Sequence, residues 1–174
     1  MRKIEVVAHN PHWKQEFERE SKLVADALGN NVITVHHIGS TSIPNIYAKP
    51  IIDMLVEVAN IDQVDAFNLS MIALGYEVMG EFGIPGRRFF RKDINQIRTH
   101  HIHTFKVDSY DVNRHLAFRD YMILHPEYAQ KYSDLKQDLA KKFPNDIQSY
   151  MDGKNGFIKD MEKHALAWRE SQAG

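Results

Sequence analysis

The segment NVITVHHIGSTSIPNIYAKPIIDMLVEV, residues 31–58, decides the fold. Its first part, Asn31 to Ile38, is rich in β-branched residues and predicts a strand that ends abruptly at Gly39. Its last part, Pro50 to Val58, is apolar on both sides with Asp53 inserted, which predicts a central strand covered on both faces. The segment therefore predicts two core strands joined by a polar loop.

Helical and strand-like patterns continue on both sides of this segment. Apolar spacing predicts one helix over Pro11 to Leu28 and another over Ile61 to Leu74, each ended by a glycine. Further strands are predicted over Tyr76 to Met79, Arg87 to Lys92 and Arg98 to Val107. The last two runs are expected to pair as a hairpin.

Beyond Asp108 the sequence changes from glycine and β-branched residues to helix formers. Three helices are predicted, over 111–124, 126–142 and 145–170. We therefore expect an α+β fold, a mixed β-sheet with flanking helices and a helical C-terminal half. The expected division is an α/β core over 1–108 and a helical subdomain over 109–174, packed on the core as a single structural unit.

The composition is that of an ordinary globular protein and restricts the classes of function. Of 174 residues, 43% are hydrophobic and 26% charged, the formal net charge is −1, and there is no cysteine. A chain without an overall positive field is not expected to hold duplex nucleic acid, although one basic cluster suffices for a small anion. No stretch approaches the ~20 apolar residues of a membrane span. We therefore expect a cytoplasmic protein, without a membrane partner, that binds a small molecule or nucleotide.

The loop Gly39-Ser40-Thr41 has the residue types of a phosphate-binding turn. Glycine permits close approach of the backbone to a ligand, and the amides that follow, with the Ser40 hydroxyl, can surround phosphate oxygens. An ordinary turn is the alternative, because Gly-Ser commonly follows a strand.

Asp53 is an unusual residue in so apolar a strand. Alternation places it on one face with Leu55 and Glu57. Burying a carboxylate is costly unless it is paired or binds a metal. The alternative is a carboxylate that accepts hydrogen bonds from the amides of the Gly39-Ser40 turn.

Histidines are concentrated in two predicted strands. His101 and His103 alternate onto one face about 7 Å apart, from which two imidazoles can converge on a metal or a phosphate. Of His36 and His37, at least one is expected to point toward the loop that follows them. The predicted metal ligands are Asp53, His101, His103 and His37. An exposed edge strand with polar histidines is the alternative.

Basic residues follow the turn at Gly83-Ile84-Pro85-Gly86. Alternation places Arg87 and Arg91 on one face and Arg88 and Lys92 on the other. Arginine suits phosphate because its planar guanidinium donates paired hydrogen bonds. A solvated basic strand is the alternative.

Lys154 lies within the apolar stripe of the last predicted helix. Gly153 and Gly156 flank it and permit close approach, so its ammonium is expected to face inward toward an anion. The alternative is an ammonium that reaches solvent along its apolar stem.

Together these motifs resemble the GrpB family, which is placed in the nucleotidyltransferase superfamily with DNA polymerase β and the aminoglycoside nucleotidyltransferases. The matching residues span nearly the whole chain: Asn10-Pro11-x-Trp13, His37-Ile38-Gly39-Ser40-Thr41-Ser42-Ile43-Pro44, Ala48-Lys49-Pro50-Ile51-Ile52-Asp53, Gly83 to Lys92, His101-Ile102-His103, Phe118-Arg119-Asp120-Tyr121, and Tyr150 with Lys154. The resemblance implies a nucleotidyltransferase-like sheet with its site at the Gly39 turn.

The resemblance also implies an altered metal site. Active members of the superfamily carry two carboxylates, two residues apart, that hold the catalytic magnesium ions. Here the first is Asp53 and the second position is Leu55, while Glu57 lies about 13 Å from Asp53 along the strand. On the neighbouring strand this chain offers His101 and His103, and imidazole favours zinc or manganese-like metals over magnesium.

Three functional hypotheses follow. The first is a metal-dependent nucleotidyl or phosphoryl transferase acting on a small molecule, with a divalent ion (Mg, Mn or Zn) and a nucleoside triphosphate. Its predicted catalytic residues are Asp53, His103 and Lys49, and its predicted cofactor-binding residues are Gly39, Ser40, Thr41, Arg87, Arg88, Arg91 and Lys154. The second is a non-catalytic nucleotide-binding or phosphate-binding module that lost the second metal carboxylate at Leu55. The third is a metal-dependent hydrolase that uses the His-x-His strand.

Overall fold

A five-stranded mixed sheet forms the centre of the computed structural model, which describes residues 4–173. Its strands are β1 (Val32–Ile38), β2 (Ile52–Val58), β3 (Tyr76–Val78), β4 (Arg88–Ile94) and β5 (Ile97–Lys106). The spatial order is β1-β2-β5-β4-β3. Strands β2 and β5 run parallel, and the other neighbouring pairs are antiparallel. The predicted hairpin of β4 and β5 is confirmed.

Helices flank the sheet and make up the C-terminal part of the chain. They are α1 (His12–Leu28), α2 (Asn68–Ala73), α3 (Tyr110–Leu124), α4 (Pro126–Lys142) and α5 (Ile147–Ala173). The α+β architecture expected from the sequence is therefore confirmed. None of the helices within residues 4–173 is long and apolar enough to cross a membrane.

One predicted helix differs from the structure. The expected continuous helix over Ile61 to Leu74 is a 3₁₀ helix over Ile61–Phe67 followed by α2. Ile61, Val64 and Phe67 are spaced by three residues, which matches the 3₁₀ period, and Val64 is the buried member of this set. The prediction was wrong because a spacing of three occurs in both kinds of helix.

Strand β2 is covered on both faces, as its sequence predicts. Ile52, Met54, Val56 and Val58 pack in the apolar cluster that contains residues of α1. Leu55 points the other way, into a cluster with Val112 and Leu116 of α3. Burial on both faces fixes the register, since a shift by one residue would move every side chain to the opposite face.

The C-terminal helices hold the loop between β1 and β2 in place. Ile43 and Ile46 of this loop are buried in an apolar cluster with residues of α3, α4 and α5. The amide of Tyr47 donates a hydrogen bond of 2.8 Å to Ser133 Oγ of α4. The loop that begins at Gly39 is therefore fixed by the helical part of the chain as well as by the sheet.

Gly153 and Gly156 of α5 provide a matched test of helix packing. A Cβ at Gly153 would lie 2.5 Å from Leu139 Cδ2 of α4, whereas one at Gly156 would meet no atom within 4 Å. We expect Gly156→Ala to stabilise the protein by ~0.5–1 kcal/mol. Gly153→Ala is expected to be less stable than Gly156→Ala by ~1 kcal/mol or more, because Leu139 must shift. Urea denaturation measures both, and equal stabilisation would contradict the close approach of α4 and α5.

Candidate functional site

Asp53 contacts both histidines that the sequence places on one face of β5. In the parallel register of β2 and β5, Asp53 lies opposite His101 and Leu55 lies opposite His103. Asp53 Oδ1 is 3.1 Å from His103 Nε2 and 3.3 Å from His101 Nδ1. The structure thus brings together a carboxylate and two imidazoles from adjacent parallel strands.

Gly39 leaves room for the second oxygen of this carboxylate. Its φ is +73°, and a Cβ built there would lie 2.6 Å from Asp53 Oδ2. A larger residue would therefore be strained by its backbone and would also collide with Asp53. Among residues 4–173, Asp53 Oδ1 makes its hydrogen bond with an imidazole, that of His103, rather than with an amide of the turn. The amide-capping alternative is thus not the arrangement seen.

Two arginines determine which ring nitrogens of the histidines carry hydrogen. Arg87 Nη1 lies 3.2 Å from His103 Nδ1, and Arg98 Nη1 lies 3.4 Å from His101 Nε2. A guanidinium can only donate, so each of these ring nitrogens accepts. The other nitrogen of each ring then carries the proton and donates to Asp53. We call this arrangement the Arg-His-Asp-His-Arg chain (Arg98, His101, Asp53, His103 and Arg87).

The protonation states of Asp53 and His103 agree with the donors and acceptors assigned to the Arg-His-Asp-His-Arg chain. Burial by itself would raise the pKa of Asp53, but hydrogen bonds and charge interactions with His101 and His103 outweigh burial and hold its pKa well below the usual range. Burial lowers the pKa of His103, although the Asp53 carboxylate opposes that effect. Asp53 is therefore an anion, and His103 is neutral with its hydrogen on Nε2.

Arg87 is held more firmly than Arg98. The buried Arg87 guanidinium donates to the carbonyl oxygens of Glu81 (3.2 Å) and Phe82 (2.8 Å) and lies 4.6 Å from the centre of the Phe89 ring. Arg98 is anchored through a carboxylate, that of Asp93. A movement of His103 that displaces Arg87 therefore breaks more contacts than a movement of His101 that displaces Arg98.

The donor set fits a divalent cation in part. The potential ligand atoms of Asp53, His101 and His103 lie within 4.8 Å of one another, and a carboxylate with two imidazoles suits zinc or manganese. However, an imidazole that binds a metal usually donates its other N–H to an acceptor. Here the ring nitrogens that point away from Asp53, His103 Nδ1 and His101 Nε2, face guanidinium donors instead. His101, whose arginine contact is longer, fits the ligand role better, while His103 fits as the donor that orients Asp53.

His37 lies apart from this cluster, although it was a predicted metal ligand. In the β1–β2 register Ile38, not His37, lies opposite Asp53, so the His37 side chain points to the other face of the sheet. There its ring stacks on Phe17 at 4.8 Å, and burial lowers its pKa to about 4. Strand alternation thus separates His37 from the other three predicted ligands.

Thr41, a predicted cofactor-binding residue, makes hydrogen bonds that hold the loop between β1 and β2 in place. The buried hydroxyl donates to the Ile51 carbonyl oxygen at 3.1 Å and lies 2.9 Å from His37 Nε2. Since its hydrogen is already donated to Ile51, Thr41 accepts the hydrogen of His37 Nε2. The side chain therefore positions the Gly39 turn against the start of β2.

The predicted phosphate-binding arginines separate onto two faces. Arg87 contacts His103, as described above. Arg91 lies opposite His101 in the β4–β5 register but is paired with Glu77 at 2.9 Å. Arg88 lies on the opposite face, paired with Asp65 at 2.8 Å. The structure does not bring Arg88 to the Asp53 cluster, because alternation along β4 directs it away.

Leu55 occupies the position where the resemblance implies a second metal-binding carboxylate. Leu55 is fully buried in the α3 cluster. Glu57 Oε2 is 2.7 Å from His36 Nε2 instead. Neither residue brings a second carboxylate to Asp53.

Three lysines approach this region from the loop before β2, from α4 and from α5. Lys49 Nζ and Lys154 Nζ lie 4.6 and 5.4 Å from the centre of the Tyr150 ring. Lys136 Nζ lies 4.2 Å from the centre of the Tyr132 ring. We call Lys49, Lys136 and Lys154 the lysine cluster. Ser40 Oγ donates to Tyr132 Oη at 3.4 Å, which places the Gly39 turn beside it.

Burial and mutual repulsion weaken the charge of these lysines. Burial, and then the nearby Lys154 ammonium, lower the pKa of Lys136 to about 7. Burial, and then Lys49, lower the pKa of Lys154 to about 8, while the Asp53 carboxylate opposes this change. Burial also lowers the pKa of Lys49, again opposed by Asp53. The lysines and Asp53 are thus close enough to affect one another's charge.

A cleft of about 440 Å³ opens beside His101 and is also lined by Lys49 and Arg98. Another cleft, of about 560 Å³, lies on the side of α1 and is lined by His37, Phe17 and other residues. The smaller cleft borders the Arg-His-Asp-His-Arg chain, so chemistry rather than size identifies it as the candidate substrate site.

Sequence reasoning missed Arg98, Lys136 and His115 as parts of this region. Lys136 lies in the buried stripe of α4, so the spacing that identified Lys154 would also have found it. His115, whose ring centre is 5.5 Å from that of His103, follows the same spacing in α3, and burial lowers its pKa to about 3.

The sequence pattern gave no indication that Arg98 would contact His101. It lies three residues from His101, and strict alternation would place them on opposite faces. The β4–β5 register shifts between Lys92 and Asp93, and such a bulge redirects side chains.

The fold and the site together define an α+β protein whose sheet carries a carboxylate between two imidazoles, close to lysines of a helical C-terminal part. The chain belongs to the GrpB family, because the profile described as GrpB protein matches residues 3–164. The crystal structure of conserved protein GrpB from Enterococcus faecalis aligns with a TM-score of 0.91 and 44% identity, over 95% of this chain and 99% of that chain. The resemblance to this family is therefore confirmed.

Other relatives differ in length. The glutamate-rich protein GrpB of Alkalihalophilus pseudofirmus is 36% identical over 90% of this chain and 92% of that protein. The UPF0157 protein YqkA of Bacillus subtilis is 44% identical over 98% of this chain, which spans only 50% of YqkA. A dephospho-CoA kinase of Mycolicibacterium paratuberculosis is 22% identical over 97% of this chain and 47% of that protein.

Substitution of Gly39 tests the close approach of Asp53. Gly39→Ala is expected to destabilise the protein by ~2–4 kcal/mol, from positive φ and from the contact with Oδ2. Gly80→Ala is the control, because Gly80 has a φ of +63° but no atom within 4 Å of the added Cβ. It should lose only ~1 kcal/mol. Equal losses in urea denaturation would contradict the steric role of Asp53.

The tautomers of the two histidines test the Arg-His-Asp-His-Arg chain. In two-bond ¹H–¹⁵N NMR spectra near neutral pH, His103 should be the Nε2–H tautomer and His101 the Nδ1–H tautomer. Asp53→Ala removes the acceptor of His101 Nδ1–H, so His101 should lose its preference for that tautomer, whereas Arg98→Ala leaves Asp53 in place and should leave both tautomers unchanged. Finding His103 as Nδ1–H in the wild type would contradict the assigned roles.

Proposed function

We propose that this protein is a metal-dependent transferase of the nucleotidyltransferase type, which moves a nucleotidyl or phosphoryl group to a small-molecule acceptor. One observation carries the proposal: Asp53, held as an anion by two imidazoles, lies at the Gly39-Ser40 turn, and the lysine cluster lies close by. A negative group that binds a cation and positive groups that bind phosphates are the two requirements of phosphoryl transfer.

Asp53 and His101 are proposed to hold the divalent ion. The ion would neutralise charge on the phosphate oxygens, and its remaining ligands would come from the substrate. His103 donates its Nε2–H to Asp53 Oδ1 and so fixes the direction of the carboxylate. Most of the rate enhancement would come from positioning and electrostatics, as expected for this reaction class.

The phosphates are proposed to lie between the Gly39-Ser40 turn and the lysines. Ser40 Oγ reaches Tyr132 Oη and is therefore directed toward the lysine cluster. The Asp53 carboxylate opposes the lowering of the Lys49 pKa by burial, so the two groups are close. Lys49 would neutralise charge nearest the reacting phosphorus. The acceptor would enter through the cleft beside His101. Arg87 would act by holding His103 rather than by contacting phosphate.

The comparisons give further support of a general kind. The sequence motifs resemble a family placed in the nucleotidyltransferase superfamily. A protein named dephospho-CoA kinase, a name that denotes phosphoryl transfer, also contains a distantly similar segment.

A non-catalytic nucleotide-binding module is the second candidate. The buried Leu55 favours it, because the second carboxylate of the active superfamily members is missing. A hydrolase that uses the His-x-His strand has less support, since it needs both imidazoles as metal ligands and His103 already contacts Asp53 through Nε2 and Arg87 through Nδ1.

The discriminating experiment measures nucleotide binding and release of phosphate or pyrophosphate. The four ribonucleoside triphosphates would be supplied with magnesium, manganese or zinc and with a pool of small hydroxyl and amino compounds. We expect metal-dependent release that falls by about 10²-fold or more in Asp53→Asn, because the carboxylate that would hold the divalent ion is lost. Arg88→Ala is the matched control, and its activity should be unchanged, since Arg88 lies on the opposite face.

The alternative outcomes are distinct. Nucleotide binding without release under any metal would favour the binding module over the transferase. Release that is unaffected by Asp53→Asn would exclude Asp53 as its centre, and failure to bind any nucleotide would contradict both candidates.

A further inference from the structure

A buried imidazole with one unpartnered ring nitrogen lies between α1 and β5. His100 is 2% exposed, and its Nε2 makes no hydrogen bond among residues 4–173. In the β2–β5 register His100 lies opposite Ile52, so its side chain is on the face of the sheet that packs against α1, away from Asp53. Buried polar atoms normally find partners. This nitrogen therefore indicates a group that the protein itself does not supply.

Two carboxylates of α1 lie close to this imidazole. Glu16 and Glu20 are four residues apart and so share one face of the helix. Glu16 Oε1 is 3.5 Å from His100 Nε2, and one potential ligand atom from each of the three residues lies within 4.8 Å of the other two. Glu20 and His100 are buried, whereas Glu16 is partly exposed. An ion can therefore enter from solvent beside Glu16.

Thr99 determines which nitrogen of His100 carries the hydrogen. Its hydroxyl donates to the Lys92 carbonyl oxygen at 3.3 Å and lies 2.7 Å from His100 Nδ1. Since its own hydrogen is already donated, Thr99 accepts the hydrogen of Nδ1. Nε2 of the neutral ring then has a lone pair, and the Glu16 carboxylate beside it can also only accept. A cation between these two acceptors would stabilise the arrangement.

The surrounding charges favour one more cation. Glu20 Oε1 accepts a hydrogen bond from Tyr76 Oη at 2.9 Å and pairs with the Lys92 ammonium, so Oε2 can bind an ion. Arg19 pairs with Glu16, but this contact is at the surface, where an ion pair contributes little. Two carboxylates beside one buried ammonium leave one negative charge without a buried counterion.

We propose that Glu16, Glu20 and His100 bind a divalent transition-metal ion, with zinc as the best match, which joins α1 to β5. One imidazole and two carboxylates suit zinc or manganese, and three protein ligands leave a further position for water. A metal-bound imidazole usually donates its other N–H to an acceptor. His100 does so through Nδ1 to Thr99, whereas the imidazoles beside Asp53 face guanidinium donors. The site lies on the other face of the sheet from Asp53 and does not depend on the proposed reaction.

Zinc itself is the probe for this site. Isothermal titration would use the Asp53→Asn protein, so that the ion proposed at Asp53 does not contribute. We expect one zinc ion per chain, bound at least about 10-fold more weakly when His100→Gln or Glu16→Gln is added. Glu18→Gln is the matched control, because Glu18 lies between the two glutamates on α1 but is exposed. It should leave the zinc affinity unchanged.

Two further measurements separate a metal site from a buried hydrogen-bond network. In two-bond ¹H–¹⁵N NMR spectra of the Asp53→Asn protein, zinc should shift His100 Nε2 while Nδ1 keeps its hydrogen. Zinc should also raise the urea midpoint of this protein, because the ion binds the folded chain, and Glu16→Gln should abolish that rise. Glu16 is partly exposed, so this variant decides the outcome even if His100→Gln does not fold.

Three results would overturn the proposal. The first is an equal zinc affinity in the Asp53→Asn protein with and without Glu16→Gln, and the second is no zinc binding at all. The third is a hydrogen on His100 Nε2 near neutral pH both before and after zinc is added, which would make His100 an ordinary ion-pair partner of Glu16.

Discussion

The site depends on the environment of one carboxylate, Asp53, at the start of β2. A charged group in such a strand is costly unless polar groups replace water. The parallel register of β2 and β5 supplies them, because it sets Asp53 beside His101 and His103. The guanidinium groups behind these rings then define which nitrogens donate. The conformation of Asp53 is therefore set by residues from two neighbouring strands and the loop before β4.

The loop after β1 is adapted to this carboxylate. Gly39 leaves space for Asp53 Oδ2, and Thr41 fastens the turn to the residue before β2. Ile43, a little further along, is buried among the C-terminal helices. The same few residues therefore accommodate the anion, set the path of the chain and present Ser40 toward α4.

The helical C-terminal part contributes charged and aromatic side chains to this region in addition to packing. It supplies Lys136 and Lys154, and Tyr132 and Tyr150 contribute the rings beneath the ammonium groups. The alignment with GrpB from Enterococcus faecalis covers 95% of this chain, so the helical part belongs to the shared fold. The charges of the site are thus divided, with the anion on the sheet and two of the three lysines on the helices.

The sequence alone determined the features that follow from local periodicity: most strands and helices, the two faces of β2, the shared face of His101 and His103, and the inward position of Lys154. Side-chain direction within one element depends on its own repeat, so these could be predicted. Tertiary structure decided whether His37 or Ile38 lies opposite Asp53, because strand register is set between strands. It also decided the contact of Arg98 with His101 across a bulge, and the approach of Lys136 to Tyr132 beside the Ser40 turn. These contacts join residues that are distant in the chain or redirected by an irregular strand, which no local repeat encodes.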